Sequence, residues 1–527
     1  MRERLHIVLL IGILFLALFF RVWHLAPTTT SNLTVPPGLF SDEAMNGSNA
    51  LEALETGKFK VFYRENNGRE GLFINLQALS IRILGNTAFA LRIVSALFGT
   101  ATVLAVYLFT KEYLRDNHIA LLASFLLSVS FWHIMFSRIG FRAIMAPFFL
   151  TTGLWLLYAV WDRRNDLHHA RVLLGSALGG IFFGLGFYSY IAYRAAPLLL
   201  LPALALFVQS ARKEKNNCII CIPALFVFFA FVVTIPLTLY FLDNPGDFLG
   251  RTGQISIFQS EYPFFAFLKN AGITFQMFYF LGDFNARHNI PGNPLLWWPI
   301  AVFFTIGLVL AFRKRYWLLI SWLIVMMLPV AVSNEGIPHA LRSIIMIPPV
   351  FIIAAIGFAS ALVTLYHFTH SRFVQTIVTA LAVIIVVAHV IHTYNTYFIE
   401  WGESALTKES FGGNLYNIGL FLNNMPEDTL KYVVTDETET IDRTGRPMSL
   451  EPILFATDTY LPHPEGYKNI YYKTTAQLDS LNCQTDCMII PIRNSYAIFA
   501  LARKKYPNLQ FDRSIEQKYQ LLVARPK

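Results

Sequence analysis

Two adjacent acidic residues, Asp42 and Glu43, stand shortly after the first apolar segment of the chain. Carboxylates beside a membrane are costly unless they are solvated, paired or used in a reaction. One interpretation is structural, with Asp42 capping a surface helix and favouring its dipole. The other is catalytic, because partial desolvation makes a carboxylate a stronger base. The sequence leaves both interpretations open.

Four more polar clusters follow along the chain, each predicted to lie on the same side of the membrane as the acidic pair. Their candidate binding residues are Glu70, Arg138, Arg142, Asp283, Arg287, His288, Asn289, His339 and Arg342. A solvated turn, snorkelling arginines or structural histidines would account for any one cluster alone. Arginine also binds a lipid phosphate through its planar guanidinium, so the functional interpretation stays open for each.

The functional interpretation is favoured because all five clusters are predicted to lie on the same face of the membrane. The short loops on the other face are rich in Lys and Arg and carry no comparable motif. Carboxylates together with Arg and His suit transfer of a group from a lipid phosphate to a hydroxyl or amine: the carboxylate removes the acceptor proton, and the cations stabilise the departing phosphate. No His-x-x-x-His, cysteine-rich or aspartate-loop metal motif is present, so no cofactor is predicted to be required, while the sequence leaves the use of a divalent metal open.

The composition shows which elements must position these residues. Of the 527 residues, 55% are hydrophobic and only 14% are charged, and the mean hydropathy is +0.48. Soluble domains carry about 25% charged residues, so a water-soluble globule and a disordered chain are both excluded. The net charge of +9 is assigned to membrane topology rather than to nucleic-acid binding, because no basic run is interleaved with aromatics.

Membrane-spanning helices need about 20 apolar residues each. The sequence predicts about eleven, and the first is expected to be a retained anchor rather than a cleaved signal peptide. The predicted spans are 5–20, 88–110, 119–136, 143–161, 172–190, 195–209, 218–241, 296–312, 316–333, 343–365 and 373–394.

The basic residues of the short loops place the N-terminus in the cytoplasm, and an odd number of spans then places the C-terminus outside. Three outer segments, 21–87, 242–295 and 395–527, are too long to be simple connectors. In the first, residues 41–54 are predicted to form a helix along the membrane surface. The protein is therefore predicted to lie in the cell membrane as a multi-pass protein.

The predicted fold class is an all-α polytopic membrane protein with a small C-terminal extracytoplasmic α/β domain. Residues 1–395 form the membrane domain and 396–527 the outer domain, where Tyr432-Val433-Val434 and Met488-Ile489-Ile490 favour strands. Cys218 and Cys221 are predicted to pack within a span. Cys483 and Cys487 have a spacing that permits a disulfide.

The chain resembles the GT-C membrane glycosyltransferases, and within them the protein O-mannosyltransferase and aminoarabinose-transferase branch, family 39. The resemblance is carried by Asp42-Glu43-Ala44 after the first span, Ala90-Leu91-Arg92 before the second, and the segments 282–289 and 338–342. It covers roughly residues 1–395. The tail carries no family resemblance.

This resemblance implies a sugar donor linked to polyprenyl phosphate and transfer on the outer face of the cytoplasmic membrane with inversion. It makes Asp42 the base, Glu43 the second member of the acidic pair and Glu70 a further polar contact. Arg138 and Arg142 stand where some members carry another acidic residue. The expected partners are the donor, membrane lipids, and an acceptor that is a protein, a lipid or a glycan; no nucleic acid is expected.

Two other classes compete with the enzyme. A transporter or flippase of lipid-linked sugars predicts ionisable groups near the bilayer midplane and two related halves, whereas the charges here cluster at the outer mouth. A non-catalytic membrane scaffold that displays the tail predicts no need for Asp42. The pattern of charges favours the enzyme.

Overall fold

The computed structural model describes residues 2–26, 34–165, 168–211, 220–254, 256–368, 371–435, 441, 447–481, 487–492, 495–507, 509–514 and 521–526. The chain divides into two compact units. The first unit comprises Met1–Val35, Glu70–Phe73 and Arg92–Ser404. The second unit comprises Pro36–Arg69, Ile74–Leu91 and Ala405–Lys527.

Helices dominate the described residues. They are α1 (Arg2–Val22), α2 (Ser41–Thr56), α3 (Gly71–Leu84), α4 (Ala88–Leu114), α5 (Asn117–Ser128), α6 (Phe131–Ser137), α7 (Met145–Asp162), α8 (His169–Leu185), α9 (Leu200–Ala211), α10 (Cys221–Asp243), α11 (Pro245–Gln254), α12 (Pro263–Gln276), α13 (Trp298–Arg313), α14 (Trp317–Ala331), α15 (Ile347–Phe368), α16 (Arg372–Tyr394), α17 (Ala405–Ser410), α18 (Leu415–Asn423), α19 (Glu451–Thr457) and α20 (Ser495–Lys505). A π-helical stretch, Asn395–Trp401, extends α16.

Seven helical segments among the described residues are long and apolar enough to cross a membrane. They are Arg4–Val22, Ala88–Leu114, Arg142–Asp162, His169–Tyr188, Cys221–Asp243, Ile344–Phe368 and Arg372–Trp401. Two bent helix pairs, α5 with α6 and α13 with α14, raise the number to nine if each pair is one span. The predicted class of a multi-pass helical membrane protein is confirmed.

Among the described residues, seven to nine spans meet the criteria of length and apolarity, compared with about eleven predicted, because several apolar runs are interrupted. The predicted span 119–136 bends by 61° between α5 and α6, where the Ser130 side chain accepts a hydrogen bond from the His133 backbone and starts a new helix. The predicted span 195–209 begins inside a 3₁₀ stretch, Ile191–Leu199, that contains Pro197. Helices α13 and α14 are short and meet at 119°.

Small residues let the membrane helices approach closely. A Cβ added to Gly307 of α13 would overlap the carbonyl of Ile353 in α15, and one added to Gly357 would overlap the carbonyl of Phe303. Without a hydrophobic driving force inside lipid, such backbone contacts hold helices together. These crossings fix the frame from which the polar loops of the first unit extend.

The second unit contains a five-stranded sheet in the order β4-β3-β5-β7-β6. The strands are β3 (Leu430–Thr435), β4 (Ile470–Thr474), β5 (Cys487–Pro491), β6 (Leu509–Ser514) and β7 (Leu521–Pro526), after a short pair β1 (Phe62–Tyr63) and β2 (Arg69–Glu70). Strand β3 runs parallel to β4 and β5, whereas β7 is antiparallel to β5 and β6. The predicted small α/β domain and its two predicted strands are confirmed.

Helix α2 packs into the core of this second unit. Met45 belongs to the same cluster as Ile453, Leu454 and Val433. A Cβ added to Gly47 would lie 2.5 Å from the Phe455 ring, so only glycine allows this approach of α2 to α19. The helix that carries the acidic pair is therefore held by C-terminal residues.

Two cysteines are described, and both are disulfide-bonded: Cys221 and Cys487. Cys218 and Cys483 lie outside the described residues. Cys221 therefore carries no free thiol, contrary to the simple packing role that its apolar neighbours predicted.

Candidate functional site

The acidic pair lies in the first turn of α2, and its two members have different environments. Glu43 is fully buried, and its Oε2 accepts a hydrogen bond of 3.3 Å from the Phe40 backbone N–H. This is the back-reaching half of a capping box, so the capping role considered for Asp42 belongs to Glu43. Asp42 is partly exposed, and no hydrogen bond or ion pair links it to another described residue.

A buried arginine binds two asparagines on the helix face that carries Asp42. Asn46 and Asn49 follow Asp42 at helical spacing and share its face. The Arg69 guanidinium, only 2% exposed, donates to Asn46 Oδ1 at 2.5 Å and to Asn49 Oδ1. Sequence reasoning missed Arg69, since nothing in the glycine-containing turn around it signals burial.

Tyr63 adds a second fixed donor to this part of the second unit. Its hydroxyl donates to Asn75 Oδ1 at 2.9 Å. Burial raises the pKa of Tyr63 to about 12, so the phenol stays protonated at neutral pH. The polar groups around α2 are thus ordered by buried side chains.

Glu70 and Arg142 form an ion pair within the first unit. Glu70 Oε2 lies 2.7 Å from Arg142 Nε, and the carboxylate is buried while the guanidinium keeps 21% of its surface exposed. Arg194 interacts electrostatically with both. Glu70 is therefore not part of a solvated turn, and two arginines around one carboxylate leave an excess of positive charge.

Arg194 is the second residue that sequence reasoning missed. It lies in the predicted outer loop 190–194, next to Tyr190, whose ring lies 5.9 Å from Arg142 Cζ. Its Nη1 donates to the Phe248 carbonyl at 2.8 Å. A single arginine in a short outer loop, close to aromatic residues, was the available signal.

Arg138 has a different environment from Arg142, although only three residues separate them. Its guanidinium is fully buried and donates to the carbonyls of Phe20 at 2.8 Å, Trp23 at 2.5 Å and Val35 at 2.6 Å. These contacts join distant segments of the first unit. We assign Arg138 a structural role instead of the predicted phosphate contact.

Asp283, His288 and His339 come together in the first unit. Asp283 Oδ2 lies 3.1 Å from His288 Nδ1 and 3.8 Å from His339 Nδ1. Asp283 is also fixed by the backbone: Asn285 N–H donates to Oδ1 and Ala340 N–H to Oδ2, both at 2.8 Å. Of the described residues, these three form the cluster that could hold a metal ion.

The loop that carries Asp283 is braced internally. Asn289 Nδ2 donates to the carbonyls of Asp283 at 3.1 Å and Asn293 at 2.6 Å. Arg287 is half-buried, with its Nε donating to Asn285 Oδ1 at 3.1 Å. Asn289 therefore shapes the loop, while the Arg287 guanidinium stays partly accessible.

Arg342 is held within its own loop. Its Nη1 donates to Ser333 Oγ and to the Glu335 carbonyl, and its Nη2 lies 3.2 Å from Glu335 Oε2. The guanidinium thus closes the loop 333–342 and presents His339 beside Asp283.

A cavity of about 210 Å³ lies in the first unit beside this loop. Its lining includes Asn289, Trp297, His389 and Thr396. Neither ring nitrogen of the buried His389 nor Asn289 Oδ1 has a hydrogen-bond partner among the described residues. The ring of Trp297 stacks on His389 with centroids 5.4 Å apart. Sequence reasoning missed this cavity, because His389 lies inside a predicted apolar span.

Comparison with known proteins identifies the fold. The chain is similar to the oligosaccharyltransferase AglB from Archaeoglobus fulgidus, solved with an inhibitory peptide and a dolichol-phosphate, at 14% identity over 100% of this chain and 75% of that chain, with a TM-score of 0.56. It is also similar to ArnT from Cupriavidus metallidurans bound to undecaprenyl phosphate, at 12% identity over 99% and 97%, with a TM-score of 0.58.

The chain therefore shares the fold of the AglB and ArnT structures, as its resemblance to the GT-C membrane glycosyltransferases predicted. Within that class, residues 72–240 match the family described as dolichyl-phosphate-mannose-protein mannosyltransferase. No curated protein matches the chain. The structural likeness extends through the C-terminal part, for which the sequence carried no family resemblance.

Proposed function

We propose that this protein is an inverting glycosyltransferase that transfers a sugar from a polyprenyl-phosphate-linked donor to an acceptor on the outer face of the membrane. The observation that carries the proposal is the likeness over nearly the whole chain to ArnT, whose structure holds undecaprenyl phosphate. The AglB structure with dolichol-phosphate gives the same support. A lipid phosphate is the group that leaves in this reaction.

Asp42 is the proposed general base. It takes the proton from an acceptor O–H or N–H, and the acceptor's electron pair forms a bond to the anomeric carbon of the sugar. The bond from that carbon to the phosphate oxygen breaks, and its electron pair leaves with the polyprenyl phosphate. Attack opposite the leaving group inverts the anomeric centre. The carboxylate of Asp42, which is partly exposed and has no hydrogen-bond or ion-pair partner in the described part of the chain, supports this assignment.

Arg142 and Arg194 are the proposed contacts of the leaving phosphate. Both lie in the electrostatic cluster of Glu70, and their combined charge exceeds that of the carboxylate. Guanidinium groups match phosphate oxygens in a two-pronged geometry, and fixed cations stabilise charge as it develops on the leaving group. Glu70 positions Arg142 through the 2.7 Å ion pair. Arg287 is a third candidate.

The cavity beside Trp297 is the proposed site for a hydroxylated group such as the sugar. It combines an indole ring with buried polar atoms that lack protein partners, Asn289 Oδ1 and the His389 ring nitrogens. Buried polar groups without partners are costly, and sugar hydroxyls supply donors and acceptors for them. The acceptor can be a protein, a lipid or a glycan.

The test is an assay of the purified protein in proteoliposomes with radiolabelled sugars on polyprenyl phosphate and an extract of the native cell envelope as acceptor. We expect release of polyprenyl phosphate and a glycosylated product whose anomeric configuration, read by NMR, is opposite to that of the donor. A matched donor with a diphosphate link should react more slowly. The proposal fails if folded protein releases no more than empty liposomes do, or if intact donor merely crosses the bilayer, which would identify a flippase.

A further inference from the structure

We propose that Asp283, His288 and His339 form a zinc-binding site with one open coordination position. One carboxylate oxygen and two imidazole nitrogens, all three within 4.8 Å of one another, offer one ligand atom each. Two imidazoles with a carboxylate are a ligand set that suits Zn²⁺, whereas Mg²⁺ and Ca²⁺ prefer oxygen ligands.

The distances fit a tetrahedral ion. Zinc bonds of about 2.0–2.1 Å place neighbouring ligand atoms about 3.3 Å apart. The observed separations from Asp283 Oδ2 are 3.1 Å to His288 Nδ1 and 3.8 Å to His339 Nδ1, on either side of that value. Small side-chain rotations would bring the three atoms onto one ion.

The ligand side chains are already held in place without a metal ion. The Asp283 carboxylate is oriented by backbone N–H groups of Asn285 and Ala340 at 2.8 Å. The His288 ring lies among buried side chains, with its centroid 5.6 Å from that of Phe136. Such outer contacts orient metal ligands and tune affinity. A bound ion would displace the long 3.4 Å hydrogen bond from Arg342 N to His339 Nδ1.

The burial pattern indicates where the open position lies. Asp283 and His288 have side chains only 5% and 7% exposed, whereas His339 is 15% exposed. Three protein ligands leave the fourth position of a tetrahedral ion for water, and the more exposed side at His339 admits it. The ion would join the loops 282–294 and 333–342, which helices α13 and α14 separate in the sequence. No short sequence motif can indicate ligands that lie so far apart in the chain.

The test measures metal binding on the full-length protein in detergent, without any sugar donor. The protein is stripped with a chelator, incubated with ZnCl₂ and desalted, and zinc content and thermal unfolding are measured. We expect one zinc ion per chain and a higher melting temperature with zinc. His288→Gln and His339→Gln should bind zinc at least about 100-fold more weakly and lose the increase in melting temperature. His118→Gln, which changes an exposed histidine, is the matched control and should behave as wild type.

A second measurement needs no variant. Co²⁺ in a tetrahedral site with two imidazoles gives visible absorption bands, and Zn²⁺ should abolish them by competition. The proposal is overturned if the wild type takes up no stoichiometric zinc and no coloured cobalt, or if His339→Gln binds both metals as tightly as the wild type. Because no donor is present, failure of the proposed sugar transfer would leave this result unaffected.

Discussion

Asp42 and Asp283 are both aspartates in polar segments, but their surroundings assign them opposite tasks. Asp283 is 4% exposed, and its carboxylate accepts two backbone hydrogen bonds beside two imidazoles. Asp42 is partly exposed, with no hydrogen bond to a described residue. A buried carboxylate oriented by two backbone donors is held in place, whereas one that remains accessible can accept a proton from a substrate.

Two arginines of the first unit also differ in burial and in the number of their hydrogen bonds. Arg138 is fully buried and engaged by three backbone carbonyls, while Arg142 pairs with one carboxylate and stays partly exposed. The number of hydrogen bonds that a charged side chain makes within the protein therefore distinguishes structural from functional residues better than the residue type does.

The largest effect on stability should come from Asp283→Asn. The amide replaces an acceptor of two backbone N–H groups by a group that can leave one of them unsatisfied. We expect the free energy of unfolding to fall by about 2–3 kcal/mol, measured by thermal unfolding in detergent. The control is Glu403→Gln, which changes an exposed acid of the first unit. If the two variants have equal melting temperatures, Asp283 contributes no more to stability than an ordinary surface acid does.

Arg142→Gln should lower kcat/KM for the lipid-linked donor by about 10- to 100-fold, because a fixed cation no longer stabilises the departing phosphate. The measurement is release of polyprenyl phosphate at several donor concentrations. Arg163→Gln is the matched control, since Arg163 is exposed and, like Arg142, is paired with a buried glutamate, Glu112. If both variants react at the wild-type rate, Arg142 does not contact the phosphate.

The smallest effect should come from Glu43→Gln. The amide oxygen can still accept from the Phe40 N–H, so we expect loss of only about 0.5–1 kcal/mol of stability and a kcat within about twofold of wild type. Thermal unfolding and the donor assay measure the two quantities. A large fall in kcat without a change in melting temperature would indicate that Glu43 takes part in the reaction, as the sequence resemblance implied.

The sequence predicted the elements of this fold better than the partners of its charged residues. Apolar runs of about 20 residues and the short apolar runs around Tyr432 and Ile489 are local signals, so most spans and two strands were predicted correctly. The breaks at Ser130 and Pro197 were missed, because hydropathy over a long window averages out a single capping residue or proline.

Contacts between distant segments left no such signal. Arg138 and Arg142 have similar neighbours in sequence, and only the fold decides that one meets three carbonyls and the other Glu70. Likewise, Met45 and Gly47 of α2 pack with residues near 453–455, which no local pattern indicated. Burial of a charge is a property of tertiary structure.

The most direct test of Asp42 as the base compares sugar transfer by Asp42→Asn, Glu55→Gln and the wild type in the same proteoliposomes. Glu55 is an exposed acid on the same helix and serves as the control. The assignment of Asp42 as the base predicts that Asp42→Asn loses at least about 100-fold in kcat while its melting temperature stays near that of the wild type, and that Glu55→Gln reacts normally. Turnover by Asp42→Asn at the wild-type rate would contradict it.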